Sequence, residues 1–454
     1  IEYIIGSGLI SRVATFEIGD ATSKAKMQLS FPAISGPGSI IARTVAGDDV
    51  NISTAGMNPA KTVNRTWSVT NSGTSFTTYQ STLNWNAADE DAGVNYNNYN
   101  VSLYSNGSWV AQSILSRSTN SIQSNGGQIA LGEFQIGEPC APTGDYRSVT
   151  SGDWGNPLTW EEYNGCSWIP AVSAPSASSN VITIRNGNNV NINGSTTIDQ
   201  TTVESGGTLT VNSGTLVINN GTGPDLTIEG SISWSNAATL DVNSGAEVNG
   251  SASFFYSGST LINNGSLNTS QFITGTGSVT INGNGIISTF IPFSFSPSLV
   301  TITGTQTITD QLSFNYGIVR AQGSGKIVIA NGASIYNGTA TTYVDGNLEI
   351  YYQSSLGLTY PIGDTTSYLP VTLSAFITSP GGIIVRTDGA DHSLIGSSGI
   401  DPNKSVNRTW TISSSGAATN QYYLDVQWGA TEIDQAANPS NLIARMWTGQ
   451  AWEI

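Results

Sequence analysis

The 454-residue chain has 15 lysine and arginine residues against 31 aspartate and glutamate residues, a formal charge of −16, and only 10% charged residues. So acidic a chain repels phosphate backbones and anionic lipids, which argues against nucleic acid or membrane surfaces as partners. With 51 glycines and few charged residues, long polar helices are not expected. Its 11 tryptophans, 17 tyrosines and 12 phenylalanines can bury a core, which argues against disorder. No apolar stretch approaches the roughly 18 residues of a membrane span.

The chain contains a long internal repeat. Residues 39–111 align without a gap with residues 382–454, at an offset of 343 residues. Within this match the run Val-Asn-Arg-Thr-Trp at residues 63–67 recurs at residues 406–410. Self-similarity over such a length indicates a repeat architecture. We therefore expect one period and a partial second copy, cut from a longer array.

The first module, residues 10–138, has short runs of alternating polarity separated by turn clusters such as Asn71-Ser72-Gly73. This pattern predicts an antiparallel β-sandwich. Residues 356–454 repeat residues 13–111 and are expected to form a second, truncated sandwich. Residues 1–9 are interpreted as the end of a preceding module.

Residues 171–355 show a different pattern. Very short apolar strands, for example residues 208–211 and 278–281, alternate with Asn-Gly and Ser-Gly turns. An antiparallel barrel is one interpretation, but inward Val, Ile and Leu side chains stacked between coils favour a parallel β-helix, or β-solenoid. About ten coils at the usual strand spacing would make a rod roughly 50 Å long. The predicted fold class is therefore all-β, with antiparallel β-sandwich modules alternating with a parallel β-helix.

Residues 139–170 are predicted to be a linker and a cap for the β-helix. Cys140 and Cys166 are the only cysteines and flank a Trp-rich segment, so a disulfide is favoured over two free thiols.

Three tryptophans follow or lie within this segment: Trp154, Trp160 and Trp168. The open end of a β-helix exposes apolar core and unpaired strand edges, so these rings are predicted to cover it. An aromatic platform for a sugar is the alternative.

The sequence offers little for catalysis, and we predict that the chain is not an enzyme. His392 is the only histidine and has no counterpart in the first copy, which excludes a Ser-His-Asp triad or a histidine metal cluster. No Lys, Arg or His occurs between Arg185 and Arg320, so a uronate lyase site is not expected there. Two carboxylates on neighbouring coils, such as Glu229 and Glu247, leave polysaccharide hydrolysis as the enzymatic alternative.

Acidic pairs occur at equivalent places in the two copies. Asp89 and Asp91 in the first copy correspond to Glu432 and Asp434 in the second. Closely spaced carboxylates suit a hard cation, so calcium is the one cofactor considered, against a solvated acidic loop.

Two arginines next to tryptophan are also repeated, at Arg65 and Arg408. A substrate clamp is one interpretation. Packing of the aliphatic stem, with an ion pair to Asp48 or Asp391, is favoured.

Residues 132–138, 151–160 and 405–410, with the later run 201–209, resemble repeat regions of very large secreted surface proteins of Bacteroidota-type bacteria. Such proteins are exported by the type IX secretion system and include gliding-motility adhesins. The resemblance implies an extracellular, cell-surface filament or adhesin. Its partners would be neighbouring repeats of the same long chain, with self-assembly or surface glycans in addition. The alternative is an extracellular polysaccharide-binding or polysaccharide-hydrolysing β-helix protein.

Overall fold

The structure, a computed structural model, describes residues 1–6, 10–274, 278–291 and 299–454. Residues 7–9 of the predicted preceding module, and residues 275–277 and 292–298 of the predicted β-helix, lie outside the described residues. The fold is all-β, with 57% strand and 4% helix, and combines antiparallel sandwich-like sheets with a parallel β-solenoid. The predicted fold class is confirmed. In the ranges described, no helix is long and apolar enough to cross a membrane.

The chain forms two compact units. The first contains residues 1–143 and 163–169, and the second contains residues 144–162 and 170–454. The predicted boundary at residue 356 therefore lies inside the second unit, which holds both the solenoid and the second sandwich copy.

The strands of the first sandwich are β1 (Glu2–Ile5), β2 (Ile10–Phe16), β3 (Met27–Gly36), β4 (Gly38–Ala46), β5 (Met57–Ser72), β6 (Ser75–Phe76), β7 (Gln80–Asn84), β8 (Asn100–Ser105), β9 (Ser108–Gln112), β10 (Ile114–Ser118), β11 (Ser121–Ser124) and β12 (Glu133–Pro139). Short 3-10 helices accompany them: η1 (Ile52–Thr54), η2 (Ala87–Asp89) and η3 (Tyr96–Asn98). One antiparallel sheet has the order β1-β4-β5-β12-β8-β9, and the other has the order β10-β11-β7-β3-β2, with β6 on β3.

Alternating polarity explains how these strands form a sandwich. In β3, Met27, Leu29 and Phe31 are buried while Gln28 and Ser30 are half-buried, as expected for successive side chains on opposite faces. The last strand, β12, is central: it pairs with β5 on one side and with β8 on the other.

The segment after the first sandwich contains β13 (Tyr146–Ser148), β14 (Gly152–Asp153), η4 (Pro157–Thr159), β15 (Trp160–Tyr163) and β16 (Trp168–Pro170). β13 and β14 pair in parallel with the first strands of the solenoid, so this segment already forms part of a coil.

The solenoid strands are β17 (Ile182–Ile184), β18 (Asn189–Ile192), β19 (Thr196–Ile198), β20 (Thr201–Val203), β21 (Thr208–Val211), β22 (Gly214–Ile218), β23 (Leu226–Ile228), β24 (Ser231–Trp234), β25 (Ala238–Val242), β26 (Glu247–Tyr256), β27 (Thr260–Asn263), β28 (Ser266–Thr274), β29 (Val279–Asn282), β30 (Gly285–Ile291), β31 (Leu299–Ile302), β32 (Thr305–Ser313), β33 (Ile318–Ile329), β34 (Ser334–Tyr336) and β35 (Tyr343–Tyr352). Strands one coil apart pair in parallel, as in the series β17, β20, β23, β26 and β28.

Stacked apolar side chains form the solenoid core. One column of fully buried or almost fully buried residues in direct register comprises Leu216, Leu240, Leu261, Ile281 and Ile302. A second column stacks the rings of Phe254, Phe272 and Phe290, with centroids 5.4 and 5.8 Å apart. Repeating the same residue type from coil to coil keeps this narrow interior filled.

The solenoid has about eight turns, so the prediction of about ten was wrong. Some coils contain more residues than the spacing of the turns indicated. Thr201 pairs with Leu226, 25 residues later, whereas Leu267 pairs with Ile287, 20 residues later. At the usual strand spacing, eight turns span roughly 40 Å.

The second sandwich copy contains β36 (Leu356–Tyr360), β37 (Ile362–Gly363), β38 (Val371–Ser379), β39 (Gly381–Asp388), β40 (Thr409–Ser415), β41 (Ala418–Val426), β42 (Met446–Trp447) and β43 (Trp452–Glu453), with the 3-10 helices η5 (Ile395–Ser397) and η6 (Pro439–Asn441). Its register repeats that of the first copy. Glu349 lies opposite Ile384 as Glu2 lies opposite Ile41, and Ile384 is the counterpart of Ile41 at the repeat offset of 343 residues. β35 is therefore both the last strand of the solenoid and the counterpart of β1.

Candidate functional site

The structural feature that both copies repeat most closely is a buried arginine held by two carboxylates. Arg65 on β5 has 0% exposed surface. Its Nη1 lies 3.0 Å from Asp20 Oδ2, and its Nη2 and Nε lie 3.0 and 3.1 Å from the two carboxylate oxygens of Asp89. The contact with Asp89 is bidentate, which is the strong geometry for a guanidinium and a carboxylate.

The second copy builds the same cluster. Arg408 Nη2 lies 2.5 Å from Asp364 Oδ2, and its Nη2 and Nε contact the carboxylate of Glu432. Thr387 Oγ1 accepts a further hydrogen bond from Arg408 Nη1 at 2.9 Å.

The predicted ion pairs of these arginines with Asp48 and Asp391 are wrong. Asp48 instead accepts a hydrogen bond from the Thr62 hydroxyl at 2.7 Å, and Asp391 accepts one from the Ser405 hydroxyl at 2.8 Å. Both aspartates follow the strand that pairs with the arginine's strand, but their carboxylates contact these hydroxyl groups and not the guanidinium. The repeat does not distinguish the true partners, since Asp20 and Asp364 are equivalent residues just as Asp48 and Asp391 are.

The arginines hold their carboxylates in the charged form. Burial by itself raises the pKa of Asp89, but hydrogen bonds from Arg65 and Ser23 outweigh it and lower the pKa below the usual range. In the second copy, hydrogen bonds from Arg408 lower the pKa of Glu432 against the opposing effect of burial. Both clusters are therefore fully charged at neutral pH.

The other residue of each proposed calcium pair is also bound within the protein. Asp91 accepts hydrogen bonds from the Thr62 backbone N–H at 2.8 Å and from Asn64 Nδ2 at 2.8 Å. Asp434 accepts the equivalent bonds from Ser405 and Asn407 at 2.9 and 3.0 Å. These acids brace a loop against the neighbouring strand in both copies.

This donor set fits a calcium ion poorly. A cation at Asp89 or Glu432 would have to displace a bidentate guanidinium from a buried position. Among the residues described, no group of three or more His, Cys, Asp or Glu side chains is placed to hold a metal ion. Bound calcium stays a prediction, to be tested by calorimetric titration with Ca²⁺.

The predicted disulfide is confirmed. Cys140 and Cys166 are bonded, with Cα atoms 5.5 Å apart, well within the range a disulfide requires. Both residues belong to the first unit, and the Cys140 backbone N–H donates to Gly56 O at 3.0 Å.

The predicted cap tryptophans differ in their surroundings. Trp154 and Trp160 are 4% and 1% exposed and belong to the solenoid core, with ring centroids 5.0 Å apart in an edge-to-face arrangement. Their indole N–H groups donate to the carbonyls of Pro175 and Trp154. Rings buried in this way present no face to a sugar, which excludes these two from an aromatic platform. Trp168 is half-buried in the first unit and packs on the ring of Tyr163, with centroids 5.3 Å apart.

The solenoid does not bring together the carboxylates expected from its sequence. Parallel pairing places Glu247 beside Asp225, whose carboxylate accepts from the Glu247 backbone N–H at 2.7 Å. Glu229 instead contacts the Ser251 hydroxyl on the next coil. Glu229 and Glu247 are thus four positions apart in register, which removes the pair proposed for hydrolysis.

A different carboxylate pair was missed. Asp199 is 7% exposed, its Oδ1 has no hydrogen-bond partner, and it lies beside the fully buried Asp225. Burial, together with the neighbouring Asp225 carboxyl, raises the pKa of Asp199 to about 6. The Asp199–Asp225 pair was not predicted, because the coil that joins the two residues is unusually long.

His392 is half-buried at the surface of the second sandwich copy. Its ring packs edge-to-face on Trp452, with centroids 5.0 Å apart, and its Nδ1 accepts the Leu394 backbone N–H at 3.1 Å.

Comparison with known protein families, with curated proteins and with solved structures finds no match for this chain. The function proposed below therefore depends on the geometry of the chain itself.

Proposed function

We propose that this chain is a non-enzymatic structural and adhesive segment of a long extracellular filament at the cell surface. The observation that carries the proposal is the shared strand β35. On one edge it pairs in parallel with β33 through eight residues, and on the other it pairs antiparallel with β39 through five. One continuous hydrogen-bonded ladder thus joins the solenoid to the next sandwich.

A shared strand has a mechanical consequence. Force applied along the chain cannot separate the solenoid from the second sandwich by straightening a linker, because β35 is bonded on both edges. The junction yields only when several backbone hydrogen bonds break together. This is the property that a filament under tension needs at each module boundary.

Composition supports an extracellular setting. The disulfide is of the kind that persists outside the reducing cytosol. The charge of −16 discourages lateral association between neighbouring filaments. Neighbouring repeats of the same chain are the proposed partners.

Single-molecule stretching from both termini tests the mechanical role. We expect the solenoid and the second sandwich to unfold in one cooperative high-force event. Ile350→Pro removes a backbone donor from β35 and is expected to lower that force and split the event in two. Ile350→Val keeps the backbone and serves as the matched control. A wild-type junction that opens at the same low force as the proline variant would overturn the proposal.

Polysaccharide binding is the second candidate, favoured by one groove in the second unit. The groove has a volume of about 430 Å³ and is lined by Lys326, Arg386 and the hydroxyls of Ser324, Thr411 and Ser413. Lys326 is ion-paired with Glu349 at 2.6 Å, and Arg386 is paired more loosely with Asp388 at 3.4 Å. The more exposed Arg386, next to these hydroxyl residues, suits an acidic sugar. A glycan array tests this candidate, with Arg386→Ala as the variant: binding that the variant loses would support it, and absence of binding to acidic glycans would remove it.

A further inference from the structure

The first coil of the solenoid lies inside the loop that the disulfide closes. Cys140 and Cys166 are bonded and are 26 positions apart in the sequence. Residues 146–163, which we call the cap coil, contain β13, β14 and β15 and lie entirely between them. The cap coil also holds Trp154 and Trp160, two buried rings of the solenoid core. One covalent cross-link therefore encloses the end of the solenoid core.

The two ends of this loop are held next to each other. The Cα atoms of Cys140 and Cys166 are 5.5 Å apart. The backbone of Gly165 packs closely on Ala141, since a Cβ atom built on Gly165 would lie 2.1 Å from Ala141 O. Its φ of +92° is also in the left-handed region that favours glycine. The chain thus enters and leaves the loop at almost the same point.

This geometry determines the path of a force along the chain. Because a disulfide is covalent, tension that reaches Cys140 continues through the two sulfur atoms to Cys166. Residues 141–165 bear no load while the bond is intact. Fully extended, the chain from Cys140 to Cys166 would span roughly 90 Å, so the disulfide hides about 85 Å of contour length.

Beyond Cys166 the load reaches strands that are bonded on both edges. β17 pairs in parallel with β13 on one edge and with β20 on the other, and β18 lies in the same way between β14 and β21. The cap coil lacks this support: within the described ranges β14 ends its sheet, and the second partner of β13 is β15 of the cap coil itself. Tension on the cap coil would peel it from one edge, whereas tension on β17 and β18 must break two ladders together.

We propose that the Cys140–Cys166 disulfide is a redox-sensitive mechanical bypass, which keeps tension off the cap coil and delivers it to β17 and β18. The tension is that of the proposed filament, so the inference rests on the proposed function. At the other end of the solenoid, β35 is also bonded on both edges. Both ends of the solenoid are then protected from peeling.

Reduction by a dithiol removes the bypass. One thiolate of the dithiol attacks a cysteine sulfur, the S–S bond breaks, and the other cysteine leaves as a thiolate. The second thiol of the reductant then displaces the first cysteine and closes a cyclic disulfide. Two electrons pass to the protein, which ends with two cysteine thiols after protonation by water. Cys140 and Cys166 are both half-buried and not enclosed, which leaves them within reach of a small dithiol.

Force spectroscopy on the full chain, held at its termini before and after addition of dithiothreitol, tests the bypass. In the reduced chain we expect an additional low-force event that releases about 85 Å of contour length before the solenoid unfolds. The oxidised chain should lack this event. The double replacement Cys140→Ser and Cys166→Ser should behave as the reduced chain does, with or without dithiothreitol. The same first event in oxidised and reduced chains would overturn the proposal.

A weakened cap coil distinguishes a bypass from a disulfide that only stabilises the fold. Arg147 Nη2 lies 2.7 Å from Glu161 Oε2 within the cap coil, so Arg147→Ala loosens the pairing of β13 with β15. In the reduced chain this variant should lower the force of the additional event. In the oxidised chain it should leave the unfolding forces unchanged, and a lower force there would contradict the bypass. Arg12→Ala, on β2, is the control and should change neither.

The same recordings keep the two proposals apart. Ile350→Pro acts on the event in which the solenoid and the second sandwich unfold, and the redox effect is measured in the earlier event. Loss of the redox effect with the β35 event intact would overturn the bypass alone. Loss of the β35 event with the redox effect intact would overturn the proposed function alone.

Discussion

The two sandwich copies share a sequence run, a strand register and a buried arginine cluster, yet one is closed and the other is open. The first surrounds Trp67 and Tyr79 completely, and the second leaves the equivalent Trp410 and Tyr422 partly exposed. The shared register lies on strands β4 and β5 and on β39 and β40, and the arginine of each cluster lies on β5 or directly before β40. The difference lies at β11 and β12, which follow residue 112 in the first copy, whereas the second copy is described only to the counterpart of residue 111. The repeated sequence therefore forms the same register and the same buried arginine cluster in both copies.

The largest effect is expected at the central tryptophan. Trp67→Ala removes a fully buried indole and its hydrogen bond to Ala25, which should destabilise the first sandwich by about 5 kcal/mol. Trp410→Ala removes a half-buried ring with an unpartnered Nε1, and should cost the second copy about half as much. Urea titration followed by hydrogen exchange in each copy measures both. Equal losses would show that the second core is as closed as the first.

The arginine cluster should be important in both copies. Arg65→Ala leaves Asp89 partly buried without its guanidinium, at an expected cost of about 4 kcal/mol. Arg408→Ala is expected to destabilise the second copy as well, but by less, because the second core is already more open. Arg12→Ala, at an exposed position on β2, is the control and should change stability by less than about 0.5 kcal/mol. An Arg65 variant as stable as the Arg12 variant would contradict a structural role for the cluster.

The two cysteines of the disulfide lie in the first unit, but the loop of 26 residues that they close contains residues 144–162 of the second unit. For a loop of this length, chain entropy predicts a stabilisation of about 3 kcal/mol. Reduction, or the double replacement Cys140→Ser and Cys166→Ser, should therefore lower the melting temperature of the chain. Calorimetry on oxidised, reduced and double-serine chains measures this. A reductant should not affect the double-serine chain, and equal melting temperatures of the oxidised and double-serine chains would contradict the prediction.

The smallest effect concerns pH and the Asp199–Asp225 pair. Because folding raises the pKa of Asp199 to about 6, the neutral carboxyl is the form the fold prefers. Its contribution is present below about pH 4 and is lost as the pH rises through 6. Asp199→Asn should therefore stabilise the second unit by about 1 to 2 kcal/mol at pH 8 and have little effect at pH 4.

Melting temperatures of the wild type and Asp199→Asn between pH 4 and pH 8 measure that difference. Glu17→Gln, at an exposed position in the first unit, is the control for loss of a negative charge. Parallel curves for the wild type and Asp199→Asn would show that Asp199 is not perturbed.

The sequence predicted the architecture well because repetition and strand period are local signals. The match of residues 39–111 with 382–454 anticipated the common register, and the cysteine pair anticipated the disulfide. Side-chain contacts between residues that are distant in the sequence were harder to predict. The arginine partners were wrongly predicted because Asp48 and Asp20 are both repeated acids and spacing alone does not distinguish them.

The number of residues in each coil was the second quantity that could not be predicted from the sequence. The pairing of Thr201 with Leu226 spans more residues than the turn spacing indicated, so the number of turns was overestimated and the Asp199–Asp225 pair was missed. The sharing of β35 by two modules was also not predicted, because the sequence of a strand does not show which strand pairs with its second edge.

The most direct test of this account is hydrogen exchange of equivalent segments in the unmodified chain. Residues 63–70 and 79–85 of the first copy should exchange at least a hundredfold more slowly than residues 406–413 and 422–428 of the second. The same experiment should find β35 protected as strongly as the middle of the solenoid. Equal protection of the two copies, or a rapidly exchanging β35, would contradict the account.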